Sequence, residues 1–150
     1  MTAYLIDTNV LLRCVKPDDR DYPAVLSAIH HLRMDGDDLF YTSQNLAEFW
    51  NTCTRPVDRN GYGLTIPEVN RRARLIEDQF DLLEDSKAVH QEWRSLLVTY
   101  AVSGVQVHDA RLVAGMRVHQ VSHILTFNVR DFGRYRDITA VSPESVAESR

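Results

Sequence analysis

Short apolar runs alternate along this chain with longer segments in which apolar residues recur at helical spacing. The short runs predict β-strands, and they lie at residues 4–6, 39–41, 82–83, 123–126 and 138–141. The longer segments predict α-helices, and they lie at residues 10–15, 22–33, 43–52, 65–80, 86–104 and 109–118. Helices therefore separate most of the predicted strands.

Residues at the ends of these segments indicate where the helices begin and end. Ser43 is expected to cap the third helix, and Thr65 with Glu68 forms a capping box for the fourth. Gly104 is expected to end the fifth helix, and Asp109 to begin the sixth.

Strands separated by helices of this length predict a parallel sheet covered on both faces. The expected fold class is therefore α/β, a three-layer α/β/α sandwich with a central parallel sheet. The chain has 150 residues, 44% of them hydrophobic, so we expect a single domain over residues 1–150. In open sheets of this kind, ligands bind beyond the carboxyl ends of the strands.

The composition narrows the possible function classes. No stretch reaches the roughly 20 apolar residues that span a bilayer, and the amino terminus lacks the pattern of a secretory signal, so we expect a cytoplasmic protein. Cys14 and Cys53 show no metal-ligand spacing and fit reduced, partly buried thiols. The net charge of −4 argues against nucleic-acid binding, unless several acids are gathered around a cation that neutralises them.

Four acidic residues fall where such a cation site would form. Singly, each has a structural explanation: Asp7 and Asp109 as helix caps, Glu48 as a solvated helix residue and Asp131 as a turn residue. Two carboxylates about 4 Å apart at an effective dielectric near 20 repel by about 4 kcal/mol, so three or four of them need a cation. Oxygen ligands with open positions favour Mg²⁺ or Mn²⁺ over zinc.

The residues around these acids resemble the PIN family at four separated places. IDTN at 6–9 resembles its opening strand-turn motif, and AEF at 47–49 resembles its second motif, which lies on a helix. HDA at 108–110 resembles the third motif, and TFNVRDF at 126–132 resembles the fourth, which closes the site in VapC-type members. The segment 54–61 also looks like that of one VapC-like subgroup. The resemblance covers nearly the whole chain.

This resemblance implies a metal-dependent endoribonuclease that hydrolyses RNA, of the VapC type that serves as the toxin of a toxin-antitoxin pair. It implies that Asp7, Glu48, Asp109 and Asp131 hold one or two Mg²⁺ or Mn²⁺ ions against a phosphodiester. Many members have an aspartate where this chain has Asn128, so either Asn128 or Asp131 supplies the fourth ligand. Glu48 acts either as a ligand or as a general base.

Further residues near the motifs are candidates for supporting roles. Thr8, Asn9 and Thr126 could hydrogen-bond the carboxylates, although turn formation explains Asn9 equally well. Loop arginines that could bind RNA phosphates, although solvation explains each alone, are Arg55, Arg59, Arg130, Arg134 and Arg136. Aromatic residues that could stack on unpaired bases are Trp50, Tyr62 and Tyr135, of which Trp50 better fits a core position.

The resemblance also implies two protein partners. A small antitoxin would cover the acidic groove with a basic segment, and the chain would form a homodimer within that complex.

Three other functions fit parts of the sequence. A haloacid-dehalogenase-like phosphatase also begins with a strand ending in aspartate, but it needs a second aspartate where this chain has Asn9. A metal-independent ribonuclease with a histidine pair would use His108 or His123 and would stay active in EDTA. A non-catalytic PIN-fold module that binds RNA or protein is compatible with Asn128.

Overall fold

A computed structural model describes residues 1–148 of the chain. The strands in this part are β1 (Ala3–Ile6), β2 (Asp38–Thr42), β3 (Asp81–Leu83), β4 (His123–Leu125) and β5 (Thr139–Val141). The α-helices in the same residues are α1 (Thr8–Cys14), α2 (Tyr22–Met34), α3 (Ser43–Thr54), α4 (Ile66–Gln79), α5 (Lys87–Thr99), α6 (Gln106–Val118) and α7 (Pro143–Glu148). Short 3₁₀ helices lie at Val57–Arg59 and Val129–Phe132.

The five strands form one sheet in the order β3-β2-β1-β4-β5, and every pair is parallel. At the centre of the sheet, Tyr4 lies opposite Leu39 on one side and His123 on the other. This register brings the carboxyl ends of β1, β2 and β4 together, although the three strands lie far apart in sequence.

Successive side chains of each strand pack on opposite faces of the sheet. On one face, Ile6, Tyr41 and Leu125 pack with buried residues of α1, α2, α3, α4 and α7. On the other face, Leu5 and Ile124 pack with buried residues of α5 and α6. The predicted three-layer α/β/α sandwich with a central parallel sheet is confirmed.

The start of α3 and the end of the chain differ from the sequence prediction. Thr42, not Ser43, caps α3, because the Thr42 side chain accepts a hydrogen bond from the Asn45 N–H. The helix α7 has six residues, which is too short for a helical period to stand out in the sequence. Its Val146 is buried in the same core cluster as the apolar residues of α2.

The connection between α5 and α6 also differs. The helix α5 ends at Thr99, five residues before Gly104, and Ala101 takes a left-handed φ of 48°. A non-glycine residue can adopt this conformation, so the glycine was not needed to end the helix. The helix α6 begins at Gln106, and Asp109 therefore lies in its first turn instead of capping it.

None of the helices within residues 1–148 has the length and apolar character that crossing a bilayer requires. The expected single domain over residues 1–150 stays a prediction, and its last two residues lie outside the described part.

Candidate active site

Asp7 lies at the carboxyl end of β1 and caps α1. It is 7% exposed. Its Oδ1 accepts a hydrogen bond from the Thr8 N–H at 2.8 Å, and its Oδ2 accepts one from the Thr126 hydroxyl at 2.8 Å. Asp7 therefore has the capping role that its position in the sequence suggests, and both of its oxygens are held in place at the edge of the sheet.

The hydroxyl of Thr126 links β4 to α1. Its oxygen accepts hydrogen bonds from the Asn128 N–H at 2.9 Å and from the Asn9 amide at 3.4 Å. The hydroxyl proton is therefore available for the hydrogen bond that Thr126 donates to Asp7. Asn9 also accepts a hydrogen bond from the Phe127 N–H at 3.2 Å, so it supports both the turn after β4 and the hydroxyl that contacts Asp7.

Glu48 lies on α3, half-buried, and each of its oxygens accepts a hydrogen bond. The Thr8 hydroxyl donates to Oε1 at 2.7 Å, and the Gln44 amide donates to Oε2 at 3.3 Å. The same amide of Gln44 donates to the carbonyl oxygen of His108 at 2.8 Å. Gln44 therefore connects Glu48 on α3 to the first turn of α6, where Asp109 lies.

The four predicted acids share one electrostatic environment. The pKa of Asp7 is raised to about 6, mainly by burial and also by the charges of Glu48 and Asp131, while its two hydrogen bonds oppose the increase. Burial also raises the pKa of Asp109 to about 7, with added repulsion from Asp7, Asp131 and Glu48. The charges of Glu48 and Asp131 therefore act on both Asp7 and Asp109, and Asp7 acts on Asp109.

The donor atoms at this site are carboxylate and hydroxyl oxygens, which suit a hard cation such as Mg²⁺ or Mn²⁺. Within residues 1–148, no three Asp, Glu, His or Cys side chains already have the arrangement of metal ligands. Like charges that repel one another are expected to stand apart without a cation between them. The residue types and their shared charge thus fit a divalent cation.

Asp131 and Asn128 differ in their relation to this site. Asp131 lies on the 3₁₀ turn after β4, and its charge acts on both Asp7 and Asp109. Asp131 and Asn128 are both exposed, and Asn128 contributes its backbone N–H to Thr126. Asp131 therefore has the stronger electrostatic link to the other acids, and the identity of the fourth ligand stays a prediction.

The predicted RNA-binding arginines lie in different surroundings. Arg59, Arg130 and Arg136 are exposed. The Arg55 guanidinium donates to the carbonyl oxygen of Asn60 at 3.0 Å and thereby holds the loop after α3. The Arg134 guanidinium contacts the side chain of Gln106, one turn before Asp109 on α6. Arg130 adjoins Asp131 in the sequence and Arg134 contacts the first turn of α6, whereas Arg55 holds its own loop.

The aromatic candidates differ in their exposure. Trp50 and Tyr62 are half-buried and pack against the core of the α1–α4 face, as the core interpretation of Trp50 anticipated. Tyr135 is 2% exposed and meets the Tyr100 ring at 5.0 Å, so its proposed role in stacking on bases is wrong. The Tyr135 ring is buried among the apolar residues of the core on the α5–α6 face.

The two histidines of the metal-independent alternative lie at different ends of the sheet. His108 is in the first turn of α6, beside the acids, and His123 begins β4 at the amino end of the strand. The His123 ring packs against Tyr4 at 5.0 Å. His108 and His123 therefore do not pair with each other, and a pair that uses only one of them stays untested.

Sequence reasoning missed Gln44 and Asn45. The signal for Asn45 was present: Thr42 and Asn45 have the spacing of a capping box, with asparagine in place of the usual Glu or Gln, and both reciprocal hydrogen bonds form. Gln44 had no comparable signal, because its contact with His108 depends on where the first turns of α3 and α6 meet at the edge of the sheet.

Comparison with solved structures shows the same fold in several toxin-antitoxin proteins. VapBC2 from Rickettsia felis, solved on a fragment of its promoter DNA, is 14% identical with a TM-score of 0.66, and the match covers 94% of this chain and 98% of that one. VapBC-1 from nontypeable Haemophilus influenzae is 16% identical with a TM-score of 0.64, covering 95% and 98%. VapC20 from Mycobacterium tuberculosis, a toxin that cleaves the sarcin-ricin loop, is 14% identical with a TM-score of 0.64, covering 88% and 95%.

None of the curated proteins matches the sequence significantly. The sequence model of the PIN domain, by contrast, matches residues 4–138. This range includes all four acids and the motifs around them. The chain therefore belongs to the PIN domain family.

Proposed function

We propose that this protein is a metal-dependent endoribonuclease of the VapC type, which acts as the toxin of a toxin-antitoxin pair. Membership of the PIN domain family and the fold shared with VapBC proteins and with VapC20 support this proposal. The observation that carries it is that Thr8 contacts both Asp7 and Glu48, and that Gln44 links Glu48 to the first turn of α6, which holds Asp109. The charge of Asp131 acts on both Asp7 and Asp109.

In this proposal the four acids hold Mg²⁺ or Mn²⁺ at the carboxyl end of the sheet. The bound ion would neutralise the acids, attract a phosphodiester and supply an acidic water. The chain's own hydroxyl groups hold the ligands: Thr126 donates to Asp7 and Thr8 donates to Glu48. Whether Glu48 is a ligand or a general base depends on how its two hydrogen-bonded oxygens face the substrate.

Nearby arginines would orient the RNA. Arg130 is exposed on the turn that carries Asp131, and Arg134 lies against Gln106 on the helix that carries Asp109. Guanidinium groups bind phosphate oxygens without reading sequence. We therefore assign these two arginines to the RNA backbone, with Arg59 and Arg55 as weaker candidates on the loop after α3.

The proposed partner is a small antitoxin with a basic segment that covers the acids, and the toxin would be a homodimer in that complex. Solved structures with the same fold come from toxin-antitoxin complexes, which supports an antitoxin. A basic segment is the complement that an acidic site selects.

The test is cleavage of single-stranded and structured RNA by the purified chain with Mg²⁺, with Mn²⁺ or with EDTA. We expect cleavage with either metal, none in EDTA, and products with 5′-phosphate and 3′-hydroxyl ends. Asp7→Asn and Asp109→Asn should each abolish cleavage while the variants stay folded by circular dichroism, because each removes a charge that the ion requires.

Asp78→Asn is the matched control, since it makes the same chemical change on the exposed face of α4. It should cleave like the wild type. Cleavage by the wild type in EDTA, or 2′,3′-cyclic phosphate ends, would contradict the metal-dependent mechanism. A folded wild type that cleaves no RNA with any metal would support a non-catalytic binding module instead.

A further inference from the structure

A series of hydrogen bonds leads from the end of β2 to Glu48. Oδ1 of Asn45 accepts hydrogen bonds from the Thr42 N–H at 2.9 Å and from the Thr42 hydroxyl at 2.8 Å. Nδ2 of Asn45 donates to the Thr8 hydroxyl oxygen at 3.1 Å, and the Thr8 hydroxyl donates to Oε1 of Glu48 at 2.7 Å. These four residues join α1 and α3 directly beside the acids.

The direction of every bond in this series is fixed by one backbone group. A backbone N–H can only donate, so the side-chain oxygen of Asn45 must face Thr42 and its NH₂ group must face Thr8. The Thr8 oxygen therefore accepts a hydrogen bond from Asn45. Its single proton is then directed to Glu48, which is the remaining acceptor in the series.

Asn45 is 0% exposed and makes both hydrogen bonds of its capping box. Capping requires only its backbone N–H and its side-chain oxygen, so the contact of Nδ2 with Thr8 goes beyond capping. With Gln44 donating to Oε2 at 3.3 Å, each oxygen of Glu48 has one fixed donor. A carboxylate oxygen has two lone-pair sites, so each oxygen keeps one for a cation or a water.

We propose that Asn45 is a positioning residue for Glu48 and acts through the hydroxyl of Thr8. This inference rests on the proposed nuclease function. Residues that orient a metal ligand affect both metal affinity and turnover when they are replaced. Asn45 would therefore affect Glu48 without touching the substrate.

Asn45→Asp keeps the oxygen that faces Thr42 and replaces the donor that faces Thr8 with an acceptor. Thr8→Val removes the hydroxyl and leaves the cap of α3 intact. We expect each variant to lower kcat and Mn²⁺ affinity by about 10- to 100-fold, with KM for RNA unchanged. Thr8→Ser keeps the hydroxyl and should restore most of both. Calorimetric titration with Mn²⁺ alone gives the affinity without any turnover.

The double variant decides whether Asn45 acts through Thr8. If it does, Asn45→Asp combined with Thr8→Val is no worse than Thr8→Val alone, whereas independent effects multiply. Asn70→Asp, on the exposed face of α4, is the matched control and should resemble the wild type. Circular dichroism and melting curves confirm that each variant is folded at the assay temperature.

Two results would overturn the inference while leaving the nuclease proposal in place. One is wild-type kcat and Mn²⁺ affinity in both folded single variants, and the other is multiplied losses in the double variant. A wild type that neither cleaves RNA nor binds Mn²⁺ would instead reject the nuclease proposal and this inference with it.

Discussion

The charges of Asp7 and Asp109 make the acidic site sensitive to pH in the metal-free protein. Their pKa values are raised to about 6 and about 7, from an ordinary value of 3.8. Between about pH 4 and pH 7, the native state therefore binds more protons than the unfolded state does. The free energy of unfolding falls as the pH rises through this window, because the carboxyls become charged while buried among other acids.

Asp109→Asn should therefore stabilise the metal-free protein at pH 8, because it removes a charge that Asp7, Glu48 and Asp131 repel. We expect the free energy of unfolding to rise by about 1–2 kcal/mol, discounted for the partial exposure of the side chain. At pH 4 the gain should nearly vanish, since the wild-type carboxyl is then largely protonated in the native state. Urea denaturation in EDTA at the two pH values measures both.

Asp78→Asn again serves as the control and should show no gain that depends on pH. A loss of stability in Asp109→Asn at pH 8, or a gain of equal size at both pH values, would contradict the repulsion among the acids. The same variant is expected to be inactive on RNA, so stability and activity should change in opposite directions. Active sites that bring like charges together commonly lower the free energy of unfolding of the protein.

The positions of the acids in the fold were predictable from the sequence, but the residues that hydrogen-bond them were predictable only in part. Parallel strands expose their carboxyl ends at one edge, and this rule placed Asp7 and Asp131 correctly. Thr8 and Thr126 were expected near the carboxylates because they adjoin the motifs, and both donate to an acid. The role of Asn45 was missed, because its contact with Thr8 depends on the packing of α3 against α1.

At the level of the elements, the hydrophobic period predicted all the strands and every α-helix except α7, while local residues predicted the helix ends less well. The start of α4 was predicted at Thr65, whose side chain accepts a hydrogen bond from the Glu68 N–H. The end of α5 was not, because the left-handed residue is Ala101 and the helix closes there, with the Val102 N–H donating to the Leu97 carbonyl oxygen. Glycine favours the left-handed conformation but does not determine which residue adopts it.

Two glycines should respond in opposite ways to substitution by alanine. A Cβ on Gly115, inside α6, meets no atom within 4 Å, and alanine favours a helix over glycine by about 1 kcal/mol. A Cβ on Gly61, in the loop after α3, would lie 1.9 Å from the Arg55 carbonyl oxygen. Gly115→Ala should therefore raise the melting temperature by a few degrees, and Gly61→Ala should lower it.

Thermal melting of both variants in the same buffer checks this contrast. Gly115 lies in α6 two turns beyond Asp109, so RNA cleavage by Gly115→Ala should stay at the wild-type level if the helix keeps its position. A lower melting temperature for Gly115→Ala would show that the space beside it is needed, and an unchanged one for Gly61→Ala would show that the loop can move away from Arg55.

For the whole molecule, the order of strands in the sheet decides which distant segments meet. The sequence predicts a parallel sheet, but the order β3-β2-β1-β4-β5 follows from long-range packing that periodicity does not encode. With β1 between β2 and β4, Asp7 lies between the segment that carries Glu48 and the turn that carries Asp131. The helix α6 packs on the opposite face of the sheet from α3. Its first turn, which carries Asp109, nevertheless contacts α3 through the hydrogen bond from Gln44 to the His108 carbonyl oxygen.

A cation bound to acids from four segments should tie those segments together, and hydrogen exchange can detect this directly. Binding to the native state alone adds about 2.7 kcal/mol at a free Mn²⁺ concentration of about 100 times Kd, which slows amides that exchange by global unfolding by about 100-fold. Amides at the starts of α1 and α6, around Glu48 and in the turn at Val129–Phe132 should gain protection together, because each segment supplies a ligand in the proposed site. Protection confined to one or two segments would contradict a shared site.

In Asp7→Asn the added protection should be lost in all four segments at once, including the three in which no residue was changed. The reason is that loss of one ligand would weaken binding of the ion, and with it every contact that the ion makes.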